Sequence, residues 1–289
     1  MNSTTATKTP KTPSAEPREG SSFQSILGVQ FFSGNAREAV QRMHDGGLLV
    51  VPAAPALTAL TTSAGYRDAL THADLAIADS GLMVMVWNLL QPKPIRKLSG
   101  LAYLRELLRS PDLRQPQATF WVMADQASAA RNVGWLQQEG VPVSAEDTYI
   151  APMYGDPIAD EILLDHLRKR CPRHVIVAVG GGTQERLGLY LKVNLDYRPA
   201  IHCIGAAIAF LSGTQVRIPV WADKAYLGWL FRCISNPASY VPRYWHARKL
   251  VGLLLKYRAR LPVDERMRSP LENLASVQAI KRIDHRQHR

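Results

Sequence analysis

Cysteine and long apolar runs are both scarce in this chain of 289 residues. The three cysteines, Cys171, Cys203 and Cys233, are widely spaced and form no C-x-x-C pair. This argues against a disulfide framework or a zinc site and favours a reducing cytoplasm. The longest apolar stretch, around 75–90, contains Asp79 and Asn88, so no run reaches the ~18 residues of a membrane-spanning helix. The N-terminus has no apolar stretch, which argues against a secretory signal. We expect a soluble or peripheral protein.

Acidic residues are almost absent from residues 217–260. This segment holds nine Lys/Arg residues and one acid, Asp223, whereas residues 23–216 hold 17 Lys/Arg and 17 Asp/Glu. The basic residues of this segment are interleaved with Trp and Tyr. Such an excess of positive charge favours an anionic partner, either nucleic acid or the phosphate-rich surface of a membrane. The alternative is a pair of amphipathic helices that pack on the core and expose a basic face.

Strand-like and helix-like patterns alternate from residue 25 onward. The predicted strands are Leu48–Val51, Ala76–Ala78, Thr119–Met123, Val141–Val143, Val175–Val179 and Ala200–Ile204. The predicted helices include Ala36–His44, Leu101–Leu108, Ser128–Glu139 and Pro157–Arg170, the last capped by Asp156. The alternation predicts an α/β fold, Rossmann-like, with a mainly parallel sheet flanked by helices and a basic helical C-terminal appendage.

The composition divides the chain into four parts. Residues 1–22 are rich in Ser, Thr and Pro and are predicted to be a disordered leader. Residues 23–216 form the predicted α/β domain. Residues 217–260 are predicted to be a basic, aromatic appendage, and residues 261–289 a polar tail.

The run Val175–Glu185 passes from five apolar residues into three glycines and then Gln184 and Glu185. The apolar part is typical of a buried parallel strand, and the glycines allow backbone N–H groups to approach a ligand closely. We interpret the loop as a cradle for a phosphate or nucleotide, with Gln184 and Glu185 bonding a sugar, ribose or base. The alternative is a tight strand-to-helix turn with a capping acid. The loop is not a dinucleotide fingerprint, because Glu185 stands where G-x-G-x-x-G requires glycine.

Asp79 follows an apolar strand and precedes Ser80-Gly81. A carboxylate at a strand end is suited to removing a proton from a hydroxyl nucleophile. On local sequence alone, a cap for the apolar helix Leu82–Leu90 is the stronger reading.

Metal ligands are not indicated. His202 is expected to be a core histidine, and His72, His166 and His174 are not at ligand spacing with one another. The chain has no Asp-x-Asp pair, so phosphates would be neutralised by arginines and backbone amides. We expect no metal and no cofactor.

Taken together, these stretches resemble the WecG/TagA/CpsF family of bacterial glycosyltransferases (glycosyltransferase family 26) over roughly residues 26–250. The matching elements are Ile-Leu-Gly-Val-Gln at 26–30, Tyr66-Arg67-Asp68-Ala69-Leu70, Ala73-Asp74-Leu75, Asp79, Gly180, Gln184-Glu185, Gly205-Ala206-Ala207, Phe210-Leu211-Ser212-Gly213, Arg217-x-Pro219-x-Trp221, Trp229-Leu230-x-Arg232, Pro237 and Arg243-Tyr244.

The resemblance implies a metal-independent, inverting transfer of a sugar, often N-acetylmannosamine, from a UDP donor to a polyprenyl-diphosphate-linked glycan. By position, Asp79 matches the catalytic base. The donor-site positions are Gly180, Gly181, Gln184, Glu185 and Gly205. Arg217, Arg232 and Arg243 match arginines of the appendage, which contacts phosphates, acceptor or membrane.

Several positions depart from the family pattern. Ala53, Ala102, Ala209 and Gly228 stand where family members usually carry polar residues, and Gly182 replaces a proline. These differences make a sugar without an N-acetyl group, such as glucose, an alternative donor.

We therefore predict a UDP-sugar-dependent hexosyl- or N-acetylhexosaminyltransferase of surface polysaccharide biosynthesis, peripheral on the inner face of the cell membrane. Its expected partners are the UDP-sugar, the lipid-linked acceptor and an anionic membrane, without nucleic acid; homo-oligomerisation is left open. The alternatives are a non-catalytic nucleotide-sugar-binding relative and a nucleic-acid-binding protein.

Overall fold

A computed structural model describes residues 22–213, 228–235 and 237–262 of the chain. In these ranges eight strands form one sheet in the order β1-β2-β4-β3-β8-β7-β5-β6. Only the pairing of β1 with β2 is antiparallel. The strands are β1 Phe23–Ile26, β2 Val29–Phe32, β3 Gly47–Val50, β4 Leu75–Ile77, β5 Thr119–Met123, β6 Thr148–Ile150, β7 His174–Ala178 and β8 Ala200–Cys203.

Helices connect the parallel strands and cover both faces of the sheet. They are α1 Ala36–Arg42, α2 Ala54–Leu57, α3 Ala64–Thr71, α4 Gly81–Leu90, α5 Gly100–Leu107, α6 Gln126–Gln138, α7 Glu161–Arg170, α8 Thr183–Asn194, α9 Ala207–Leu211, α10 Gly228–Ser235, α11 Pro237–Ala247 and α12 Lys249–Tyr257. Short 3-10 helices occupy Thr58–Thr61, Pro111–Arg114 and Ala145–Asp147. None of the helices in the described ranges has the length and hydropathy of a membrane-spanning segment.

The core lies on both faces of the sheet because successive side chains of a strand point to opposite sides. In β7, Val175 and Val177 belong to one buried cluster, and Ile176 belongs to the other. Both faces are covered, so the strand is apolar from Val175 to Ala178, after His174. The predicted α/β fold with a mainly parallel sheet is thereby confirmed.

Two local predictions are wrong. Val141–Val143 is not a strand: both valines are buried, but Pro142 between them has no N–H for a ladder, and Thr148–Ile150 pairs with β5 instead. Helix α7 does not begin at Pro157 with Asp156 as its cap. It begins at Glu161, because Asp160 accepts a hydrogen bond from the N–H of Leu163 at 2.9 Å.

The N-terminal hairpin was not predicted. Its turn consists of Leu27 and Gly28, which both have positive φ, at 50° and 76°. Leucine rarely adopts that conformation, so the turn carries no usual sequence signal.

The last described segment packs into the α/β domain. Ala247, Leu250 and Leu254 are fully buried in the same cluster as Leu48 of β3. The N–H of Leu27 donates to the carbonyl of Arg258 at 2.7 Å. Residues 237–262 are therefore integrated with the N-terminal hairpin. The predicted leader (except residue 22), the first part of the appendage and most of the tail lie outside the described residues.

Three buried polar rings form a chain along one face of the sheet. The hydroxyl of Tyr103 lies 2.8 Å from Nδ1 of His202, and Nε2 of His202 lies 3.1 Å from Nδ1 of His174. His202 is a core histidine, as expected. Burial lowers the pKa of His174 to about 4 and holds the pKa of His202 well below its usual value.

We expect the free energy of unfolding to fall as the pH is lowered from about 6.5, the usual histidine value, to about 4. In that window His174 is protonated in the unfolded chain but stays neutral in the native state. The loss is on the order of 3 kcal/mol for this residue. Denaturant unfolding at several pH values measures it. The variant His174→Gln should flatten the pH dependence, and an unchanged slope in that variant would contradict the assignment.

Candidate active site

A cleft of about 1140 Å³ opens at the carboxyl edge of the sheet. Residues at or just past the ends of five adjacent strands line it: Asp79 after β4, Val51 after β3, Ile204 after β8, Val179 after β7 and Met123 at the end of β5. In open α/β sheets, ligands bind in the crevice outside these strand ends. The topology therefore makes this cleft the candidate active site.

Asp79 is part-buried in the cleft wall. Its Oδ1 accepts a hydrogen bond from the backbone N–H of Gly100, the first residue of α5, at 3.1 Å. The alternative that Asp79 caps the following helix is wrong, because Ser80 is the cap: its Oγ accepts from the N–H of Met83 at 3.1 Å. Asp79 is thus held by one backbone donor while its side chain lines the cleft.

The glycine loop forms another part of the lining. Gly180 and Gly181 line the cleft, and a Cβ added at Gly180 would meet nothing within 4 Å. Gly182 follows with φ of +91°, which favours glycine. Helix α8 begins directly after it, so the loop joins β7 to a helix N-terminus that can accept an anion.

Gln184 and Glu185, predicted as a pair, face different surroundings. Gln184 lines the cleft although only 2% of it is exposed. Glu185 is fully buried and is not part of the lining. Its Oε2 accepts from the N–H of Gly182 at 2.6 Å and its Oε1 from Nε2 of Gln184 at 3.1 Å. Burial raises the pKa of Glu185. Glu185 therefore has the position of the capping acid in a tight strand-to-helix turn. Gln184, which lines the cleft, is the residue of the pair that can contact a ligand directly.

Three cations that were not predicted line the same cleft: Arg96, Lys97 and Arg105. The first two lie in the loop between α4 and α5. Asn88 anchors this loop through two hydrogen bonds to Ile95. Its Oδ1 accepts from the N–H of Ile95 at 2.8 Å, and its Nδ2 donates to the carbonyl of Ile95 at 3.1 Å. The signal available in the sequence was the run Lys-Pro-Ile-Arg-Lys at 93–97, which follows the apolar helix.

Among the described residues that line the cleft, positively charged side chains outnumber negatively charged ones. Asp79 is the one acid among the lining residues there, against the three cations. Of the predicted arginines, Arg217 lies outside the described residues. Arg232 and Arg243 lie on α10 and α11, but their side chains are outside the described part.

The C-terminal helices also reach the cleft. Tyr244 of α11 lines it, and α11 packs against α2. Gly205, after β8, has φ of +57° and lies beside Gln184. The remaining wall is mostly small or apolar and includes Ala53, Ala102 and Ala209. Among the described residues, no group of three His, Cys, Asp or Glu side chains is placed to hold a metal ion.

A comparison with protein families identifies a match. The model of the glycosyl transferase WecG/TagA/CpsF family matches residues 24–263. A comparison with curated proteins finds no match. The matched range contains every strand of the sheet apart from Phe23, the first residue of β1, and every described residue that lines the cleft. The chain therefore belongs to the WecG/TagA/CpsF family, whose activity is glycosyl transfer in polysaccharide biosynthesis.

Proposed function

We propose that this glycosyltransferase moves a sugar of the N-acetylmannosamine or glucose type from a UDP donor to a polyprenyl-diphosphate-linked glycan, with inversion at the anomeric carbon. The observation that carries the proposal is the shared cleft of Asp79 and the loop Gly180-Gly181, at the carboxyl edge of a parallel sheet. A base and an anion cradle are the two groups that this reaction needs.

In the proposed reaction, Asp79 removes the proton from an acceptor hydroxyl. The hydroxyl oxygen attacks the anomeric carbon from the face opposite the leaving group. The bond between that carbon and the diphosphate oxygen breaks, and UDP departs with the electron pair. Arg96, Lys97 and Arg105 would stabilise the charge on the diphosphate, so we expect transfer without added metal.

Release of UDP tests this proposal. Purified protein would be mixed with a panel of UDP-sugars and a short-chain polyprenyl-diphosphate sugar acceptor, without added metal. We expect acceptor-dependent UDP release with one donor, which would name the sugar. Measurable UDP binding without release from any donor would instead favour a non-catalytic nucleotide-sugar-binding relative. The small residues Ala53, Ala102 and Ala209 in the lining favour that second candidate.

Exposed apolar side chains support peripheral membrane binding. Leu89 of α4 is 82% exposed, Trp245 of α11 is 62% exposed and Leu255 of α12 is 54% exposed. Helices α4 and α12 are in contact. The Arg248 guanidinium lies 3.9 Å from the centre of the Trp245 ring. Apolar side chains next to cations are suited to the headgroup region of an anionic bilayer. We propose that this surface contacts the inner face of the cell membrane.

Replacing both Trp245 and Leu255 with Ser is expected to lower the affinity for anionic vesicles at least about tenfold, because two side chains that would enter the headgroup region are lost. Vesicle co-sedimentation at several salt concentrations measures this. The matched control is Ile162→Ser, on α7, where the isoleucine is 65% exposed. If the control and the double variant changed the vesicle affinity equally, or if neither changed it, this surface would not be the one that binds the membrane.

A further inference from the structure

One buried amide in the cleft has an unused hydrogen-bonding atom. Gln184 is 2% exposed, and its Oε1 has no hydrogen-bond partner in the part of the chain that the structure describes. A buried polar atom without a partner costs on the order of 1–3 kcal/mol, so most such atoms are paired. Because Gln184 lines the cleft, a bound ligand can supply the missing partner.

The orientation of this amide is determined by Glu185. The Glu185 carboxylate accepts hydrogen bonds, and Nε2 of Gln184 donates to it at 3.1 Å. The same carboxylate is anchored by the N–H of Gly182 at 2.6 Å. An amide whose nitrogen is engaged by an acceptor must direct its oxygen elsewhere.

The main chain of Gln184 is also held in place. Its N–H donates to the carbonyl of Gly180 at 3.1 Å, and its own carbonyl accepts from Sγ of Cys203 at 3.1 Å. A Cβ added at Gly205 would lie 3.4 Å from Oε1, so glycine at this position keeps a side chain from packing against the oxygen. The amide is thus held with its nitrogen on Glu185 and its oxygen beside Gly205, a second residue of the cleft lining.

We propose that Glu185 is a positioning residue, which orients Gln184 so that its Oε1 accepts a hydrogen bond from an O–H or N–H group of the bound nucleotide-sugar. The inference rests on the proposed function, because it assumes that this ligand occupies the cleft. Gln184 would then select for a ligand that carries a hydrogen-bond donor at this point and against one that carries an acceptor or none.

Calorimetric binding to the full chain tests the proposal. The ligands are UDP, the tightest-binding UDP-sugar of the donor panel, and analogues that each lack one donor group: 2′-deoxy-UDP, N3-methyl-UDP and the monodeoxy forms of the sugar. The proteins are the wild type, Gln184→Met, which keeps the length of the side chain, and Glu185→Gln. In Glu185→Gln, an amide NH₂ can face Gln184 and reverse its orientation.

We expect one analogue to bind the wild type about tenfold more weakly than its parent, since the buried oxygen loses its partner. In both variants the parent should bind about tenfold more weakly than to the wild type, and the penalty for that analogue should fall below about twofold. A penalty with N3-methyl-UDP identifies the uracil imide as the donor group. A penalty with 2′-deoxy-UDP identifies the ribose, and one with a deoxy sugar identifies the transferred sugar.

Two results would overturn the inference while leaving the proposed function standing: no analogue is penalised in the wild type, or the penalty is equal in wild type and Gln184→Met. Should Glu185→Gln fail to fold, Gln184→Met and the wild-type analogue series still decide the role of the oxygen. The role of Glu185 would then be read from Glu185→Asp, whose shorter carboxylate should weaken the same selectivity. Absence of UDP binding to the folded wild type would reject the proposed function itself, and the inference with it.

Discussion

Asp79→Asn is expected to abolish sugar transfer while leaving UDP binding nearly intact. The asparagine Oδ1 can still accept the N–H of Gly100, which Asp79 holds at 3.1 Å, so the wall of the cleft should keep its shape. An amide cannot take the proton from the acceptor hydroxyl. Loss of a general base typically costs about 10²–10⁴-fold in rate.

The measurement is acceptor-dependent UDP release, with UDP affinity determined in parallel. Asp165→Asn is the control, because Asp165 lies on the surface of α7 in an ion pair with Lys169 at 2.6 Å and should not affect transfer. Full activity of Asp79→Asn would remove Asp79 as the base. A loss of both activity and UDP affinity would show that Asp79 acts in donor binding.

Leu250→Ala is expected to destabilise the whole protein by about 2–5 kcal/mol. Leu250 is fully buried in the cluster that also contains residues of β3 and β7, so truncation leaves a cavity in the main core. Leu255→Ala is the matched control: the same change on the same helix at a side chain that is 54% exposed should alter stability by no more than about 0.5 kcal/mol.

Denaturant unfolding, followed by a probe of the α/β domain, distinguishes the two substitutions. A single cooperative transition with a lower midpoint in Leu250→Ala would show that α12 unfolds together with the sheet. If Leu250→Ala changed stability no more than Leu255→Ala does, α12 would be a separate unit. The integrated packing also means that deleting residues 217–289 would remove core residues, so surface substitutions are the sharper test of membrane binding.

Much of the sheet could be predicted from the chain because buried parallel strands are apolar on both faces. Thr119–Met123 was predicted with its observed bounds, and β3, β4, β7 and β8 were predicted to within one residue at each end. The carboxyl ends of parallel strands share one edge, so the sequence is sufficient to assign Asp79 and the glycine loop to the same edge of the sheet. The local sequence could not assign a role to each polar residue at this edge of the sheet. Aspartate and serine are both common N-cap residues. Because α4 begins at Gly81, Ser80 rather than Asp79 is the cap.

The sequence by itself determined the fold class, the edge of the sheet that binds ligands and the concentration of positive charge near the C-terminus. These follow from local periodicity and composition, which each segment carries alone. Only the tertiary structure decided that Glu185 points inward to hold Gln184, that α12 completes the core, and that Arg96, Lys97 and Arg105 line the cleft. The first depends on how α8 packs against β3 and β8, and the other two depend on contacts between segments far apart in the chain. Such contacts are selected by the packing of the whole domain and leave no periodic pattern in any one segment.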